Sequence, residues 1–404
     1  MKIVKPSISK IIEFLICISF FSLTFRHEIS SVCLYLAGFF SIIELIKRKT
    51  NYFKKNNFVL IFFISYFLIE IIGMFYSKNL YFAIKDIESK LLFLIGSLII
   101  IANQFSQNQI LKFLKFYVLG ICLNLVYLII VGIKIYYKSN VMPQYDSFST
   151  LMHPTYYSVN LLIGIIAILE YFKLFYNKII TVLLFIFFSV GIVLTDSKAG
   201  LICYLLIIIL FTIKYILTIR LRMKIIFFVI SILISFMLTK HLSKSRITEL
   251  FDTLQTSTVF NNYNGIYNST ETRIIIWRST NDVIKKNLIL GTGTGDIKDE
   301  MNNQYKKTNF ARGIEMKYNC HNQFLQIIAT FGIILGILLI LILFKLFYDI
   351  IVTRKIIFNL IMLVFIINFL FESFLETKAG VETFVLFTVC LSSAIYYNRN
   401  RSIS

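Results

Sequence analysis

The residues of this sequence that can do chemistry stand beside long apolar runs. His321, followed by Asn322, opens one run, and Glu372 and Glu376 close the next. Lys198 ends the polar turn Thr195-Asp196-Ser197-Lys198 between two others, and His153 precedes a further one. Arg273 and Trp277 lie four apart in a segment with helical periodicity, so they share a face, while Arg278 points well away from Arg273. An ionisable group at membrane depth costs ~2.5–3.5 kcal/mol on insertion scales, so such groups face a cavity or a partner. Each also has an ordinary use when taken singly. Lys198 can snorkel from a helix end, Arg273 can be a solvated loop cation, and His321 can cap a helix. Glu372 and Glu376, spaced i and i+4, can pair with basic groups and position a helix, or act as a carboxylate pair in acid–base work. Gly291-Thr292-Gly293-Thr294-Gly295 has the composition of a phosphate-cradling loop, but no strand precedes it, and a turn is the better reading.

The elements that must position these residues are helices in a bilayer. The chain has 404 residues, 57% of them hydrophobic and only three prolines, with a mean hydropathy of +0.78. Its apolar runs approach the ~20 residues needed to cross a hydrocarbon core, and unpaired backbone groups cannot face lipid. They lack the period-2 alternation of a membrane barrel. The pattern predicts an all-α, polytopic membrane protein of about twelve helices. Their expected positions are 8–25, 29–46, 58–76, 86–103, 114–135, 156–172, 179–195, 199–217, 225–240, 321–347, 356–372 and 381–397. The chain divides into helices one to nine over 1–240, a long loop over 241–320, and helices ten to twelve with a tail over 321–404. The first run lacks a convincing small-residue cleavage site and reads as a retained helix.

The net charge of +20 does not point to nucleic acid, because Lys and Arg sit mainly between the apolar runs, where they hold loops in the cytoplasm. With a cytoplasmic N-terminus, the short external loops hold only Arg26, Lys78, Lys85, Lys90, Lys134, Lys138, Lys198 and Lys378. The remaining external cations fall in the long loop, which crosses regardless of charge. An even number of spans then puts both termini inside and gathers the polar residues at the outer face. Within the long loop, 269–286 reads as an amphipathic helix resting on the membrane surface or on the bundle. Asn268 is its expected N-cap, Glu271 lies in its first turn, and Lys285 and Lys286 in its last. Five cysteines lie in or beside apolar runs and only Cys320 lies in the long loop, which argues against a disulfide framework and a cysteine metal site.

Four stretches, in order along the chain, resemble the O-antigen ligase and polymerase superfamily of the bacterial envelope. Thr195-Asp196-Ser197-Lys198-Ala199-Gly200 is similar to a Ser-Arg-Gly-Ala-like turn, with lysine in place of the usual arginine. Arg273-Ile274-Ile275-Ile276-Trp277, with Leu290-Gly291-Thr292-Gly293-Thr294-Gly295, resembles the family's Arg-x-x-x-Trp helix and glycine-rich exit. His321-Asn322-Gln323-Phe324-Leu325-Gln326, with Gly332 and Gly336, resembles the His-Asn-x-x-Leu signature, and Glu372 to Gly380 the C-terminal Glu- and Gly-containing turn. His153-Pro154-Thr155-Tyr156 and Tyr76-Ser77-Lys78-Asn79 add to the likeness.

The resemblance implies transfer of a glycan from undecaprenyl diphosphate to a lipid A core sugar, at the periplasmic face of the bacterial inner membrane. It implies an inverting reaction with diphosphate as leaving group, without nucleotide, cofactor or metal. His321 would be the general base, and Arg273 and Lys198 would bind the diphosphate. Trp277, Asn322, His153, Glu372 and Glu376 would support them. Lysine keeps the charge of arginine but loses its bidentate fork, which weakens the role of Lys198. A polymerase for O-antigen, capsule or exopolysaccharide would use the same donor with a growing glycan as acceptor. A transporter for the lipid-linked glycan is the alternative of a different class, although no inverted repeat supports it.

Overall fold

The computed structural model describes residues 7–48, 57–170, 178–216, 269–352 and 355–401. Every regular element among them is helical. The first half holds α1 (Ile8–Ser22), α2 (His27–Arg48), α3 (Phe58–Phe75), α4 (Leu80–Ala102), α5 (Gln107–Ser139), α6 (Pro154–Glu170), α7 (Lys178–Thr195) and α8 (Lys198–Ile216). Next come α9 (Ser269–Lys286), α10 (Ile297–Lys307) and α11 (Ala311–Met316), all within the expected long loop. The chain closes with α12 (Gln323–Val352), α13 (Ile356–Phe371) and α14 (Lys378–Arg401). Short 3₁₀ turns, Tyr145–Ser147 and Phe374–Glu376, precede α6 and α14. Each expected span except the ninth has a helix at its place. The ninth, 225–240, lies outside the described residues, as do Asn268 and the first part of the long loop.

Four helical segments are long and apolar enough to cross a membrane: His27–Lys47, Phe58–Phe75, Gln107–Ser139 and Gln323–Val352. Pro154–Glu170, Ile179–Thr195, Lys198–Ile213 and Ile356–Phe371 are shorter apolar helices. Large apolar side chains such as Phe39, Leu68, Leu123 and Leu341 are exposed. A surface of this kind suits hydrocarbon rather than water, and the protein is an integral membrane protein. At 33 residues, α5 is about 50 Å long and exceeds a hydrocarbon core of about 30 Å. Its start is fixed by the reciprocal capping box of Ser106 and Gln109. Helix α6 is buried on every side from Pro154 to Ile168 and forms the centre of the bundle, packed against α5, α7, α8 and α13.

Helix α4 starts at Leu80, six residues before the expected position, because its N-terminus is capped twice. Asn79 Oδ1 accepts from the amide of Phe82 at 3.3 Å. The carboxylate of Asp296, from the loop, accepts from the amides of Lys78 and Asn79 at 2.8 and 2.7 Å. Lys85, which the expected span left outside, is therefore on the helix, and Lys90, counted with the external cations at the start of that span, is 0% exposed.

The expected amphipathic helix is α9. Its apolar face, Ile275, Ile276, Val283 and Ile284, joins Ile297, Met301 and Tyr305 of α10, with Phe310, Cys320 and Ala329, in a small core of its own. Of the two supports the sequence allowed, α9 thus rests on protein: on α10 and on the start of α12.

Candidate functional site

The polar residues meet where α6, α8, α12 and α14 begin and α7 and α13 end. His321 sits just before α12 with φ 44°, a left-handed conformation that costs a non-glycine residue of order 1–3 kcal/mol and persists only where its surroundings impose it. Its amide donates to Asn319 Oδ1 at 3.0 Å, and its carbonyl accepts from Trp277 Nε1 of α9 at 3.3 Å. The next residue, Asn322, caps α12 by accepting from the amides of Phe324 and Leu325 at 2.9 and 3.0 Å. Its Nδ2 donates to the carbonyl of Leu370 at 3.0 Å, which ties the start of α12 to the end of α13. The polar contacts at His321 and Asn322 hold the imidazole in one place.

Glu372 follows the last residue of α13 in extended conformation, outside the apolar helix. Its buried carboxylate bridges the imidazole of His321 and the guanidinium of Arg273. Oε2 lies 2.8 Å from His321 Nδ1, and Oε1 accepts from an Arg273 Nη atom at 2.8 Å. Burial by itself raises the pKa of Glu372, but the hydrogen bond and charge of His321, together with Arg273 and His153, outweigh it and hold the carboxyl at about 2. Arg273 keeps its Nε buried and without a hydrogen-bond partner among the described residues, so donor capacity remains for an anion.

Lys198 is carried to the same helix. Its Nζ donates to Thr270 Oγ1 at 2.8 Å, and Thr270 lies one turn before Arg273 on α9. The turn before Lys198 is sharp, with Asp196 at φ 45° and Ser197 Oγ accepting from the amide of Gly200. His153 is exposed at the rim, edge-on to Tyr145 and Tyr156, and within electrostatic reach of Glu372, Asp146, His321 and Arg273.

Glu376 goes elsewhere. Because α13 ends at Phe371, Glu372 and Glu376 do not share a helix face; each pairs with a different basic group, as the first of the two sequence readings has it, and the alternative of a carboxylate pair does not form. Glu376 instead reaches the buried Lys90 at 3.3 Å. Asn319 went unnoticed in the sequence, and Gln323 and Gln326, quoted within the His-Asn-x-x-Leu stretch, carried no role of their own there. Gln323 Oε1 accepts from the amide of Leu375 at 2.7 Å, and Gln326 Oε1 accepts from the amide of Cys320 at 3.2 Å. Their legible signal was two glutamines three apart at the head of an otherwise apolar run.

The glycine-rich segment is a structural turn. Gly332 interrupts α12 at φ 70°, ψ −174°, and thereby releases backbone groups of the helix. The carbonyls of Ala329 and Thr330 accept from the amides of Thr292 and Gly293, each at 2.9 Å, and the amide of Ile333 donates to the carbonyl of Leu288 at 2.9 Å. The amides of Thr294 and Gly295 are taken by the Gly73 carbonyl and Ser77 Oγ. The turn's own amides, from Gly291 to Gly295, are thus bonded within the protein and make no phosphate cradle. Among the described residues, no group of three His, Cys, Asp or Glu side chains is placed to hold a metal ion.

Residues 183–340 match the O-antigen ligase family. The match takes in Lys198, Arg273, Trp277, His321 and Asn322, and it stops before Glu372. No curated protein matches the chain.

Proposed function

We propose that this chain, a member of the O-antigen ligase superfamily through residues 183–340, moves a glycan from undecaprenyl diphosphate to a sugar of the lipid A core. The reaction is placed at the periplasmic face of the inner membrane, with twelve spans, both termini cytoplasmic and residues 241–320 outside. The observation that carries this reading is Glu372, whose single carboxylate joins His321 to Arg273 at 2.8 Å each.

Pairing with a carboxylate assigns the imidazole proton to Nδ1 and leaves the lone pair on Nε2. Nε2 then takes the proton of the acceptor hydroxyl as its oxygen attacks the anomeric carbon. The bond from that carbon to the diphosphate oxygen breaks, and the electron pair leaves with the diphosphate. Charge grows on the phosphate oxygens, where Arg273 and Lys198 stabilise it, more strongly in a water-poor site than in bulk water. Attack opposite the leaving group inverts the anomeric centre. His321 is thus the base, Arg273 and Lys198 hold the diphosphate, and Glu372 sets the tautomer and orientation of the base. Trp277 and Asn322 fix its backbone, and His153 lines the rim.

The test is lipopolysaccharide from a deletion strain. The expected result is core without its polymeric ladder, with the ladder restored by wild-type protein. His321→Ala should restore nothing while still binding the lipid-linked donor. A ladder still joined to core would sink the ligase reading, and core bearing a single repeat unit would assign the protein as a polymerase.

A further inference from the structure

The described spans enclose an ionic cluster that the proposed reaction does not use. Lys90, in α4, is 0% exposed; its Nζ lies 3.3 Å from Glu376 and 3.9 Å from Glu70 of α3. A second pair adjoins it, Lys298 of α10 with Asp86 at 3.4 Å. Taking charges this far from water costs several kcal/mol per ion, and an apolar replacement of equal volume is often as stable or more so. Stability is therefore a weak account of the cluster, and its place in the fold supplies a better one.

Glu376 ends the short turn Phe374–Glu376, only four residues after Glu372. Between the two, glutamines of α12 hold the chain's polar groups, and the buried Phe374 packs against Tyr156 of α6 and Phe365 and Phe369 of α13. Gln323 accepts from the amide of Leu375 at 2.7 Å, and Ser373 Oγ donates to Gln326 Oε1 at 3.4 Å. Lys90 supplies the opposing anchor. Glu70, its second carboxylate partner, lends its backbone carbonyl to Thr294 Oγ1 at 2.8 Å, so the cluster also grips the glycine-rich turn. The polar anchors of the segment that carries Glu372 are thus a clamp on α12 and an ion pair on α4, set beside the aromatic packing of Phe374.

We propose that Lys90 is a positioning residue. Through Glu376 it fixes the 372–376 segment, and so the angle at which Glu372 presents its two oxygens to His321 and Arg273. This rests on the glycosyl-transfer reading given above. An imidazole misplaced by a fraction of an ångström still lets the donor bind but slows proton transfer.

The experiment uses the full chain in lipid nanodiscs, with undecaprenyl-diphosphate-linked O-antigen as donor and lipid A core as acceptor. Trp277 is the chain's only tryptophan and bonds to the His321 carbonyl, so its emission reports the site without turnover. Lys90→Met and Glu376→Gln should each lower kcat about tenfold, leave donor KM within about twofold, and shift the Trp277 emission. Lys90→Arg should recover most of kcat. If Lys90→Met does not fold, the nearly isosteric Glu376→Gln decides. Unchanged kcat per folded molecule and unchanged emission in Glu376→Gln would overturn the proposal, even if that variant melts at lower temperature. Wild-type protein that transfers nothing would instead overturn the function reading, and the emission comparison would still report on positioning.

Discussion

At the scale of the residue, Glu372 organises the site, because one buried carboxylate serves both an imidazole and a guanidinium. Glu372→Gln should keep the shape but lose the negative charge that the proposed mechanism sets beside His321 Nδ1. By the ordinary cost of removing the group that orients a histidine base, kcat should fall by about 10²-fold or more. The same variant carries a pH prediction. The folded pKa of about 2 lies below the ordinary carboxylate value of 4.5. The stabilisation is therefore complete above about pH 4.5 and is lost as pH falls from there towards 2. Melting temperature of the detergent-solubilised protein should drop over that window in wild type and change less in Glu372→Gln. Equal pH dependence in the two proteins would contradict the assigned role.

At the scale of the element, the break in α12 is the feature on which loop and bundle both depend. Gly332 takes a positive φ, and a Cβ there would run into the backbone of Ile289 and Gly291. Gly332→Ala should destabilise the protein by about 1–3 kcal/mol, read as a lower melting temperature, with loss of activity following loss of fold. The positions of the described helices outside the long loop were legible from apolar runs and charge punctuation, because lipid enforces one pattern on them, and α9 was legible from its amphipathic spacing, whereas α10 and α11 were not. The start of α4 was not, since it depends on the Asp296 carboxylate, 217 residues from Asn79 along the chain. Within the site, His321, Arg273, Lys198 and Glu372 were each legible as polar residues beside apolar runs. Their pairing was not. The i, i+4 spacing of Glu372 and Glu376 suggested one helix face, whereas the end of α13 at Phe371 sends the two carboxylates to different cations. Lys90 was legible as a cation at the start of the fourth span, but its burial was not, because its carboxylate partners come from α3 and from the turn before α14.

At the scale of the whole molecule, the proposed orientation makes a separate prediction. Cysteine placed at Lys78 or Lys317 should react with a membrane-impermeant maleimide added to intact spheroplasts, and cysteine at Lys47 only after permeabilisation. Labelling of Lys47→Cys in intact cells would invert the topology and remove the site from the periplasm. The shared backbone of the glycine-rich turn and α12 also bears on how the protein is made. The turn leaves the ribosome before α12, yet its amides at Thr292 and Gly293 are completed only by carbonyls of Ala329 and Thr330. The stretch from α9 to this turn therefore cannot mature ahead of α12; its last hydrogen bonds wait for that helix. A truncation after residue 320 should accordingly leave residues 269–320 protease-sensitive, and a chain running through α13 should protect them.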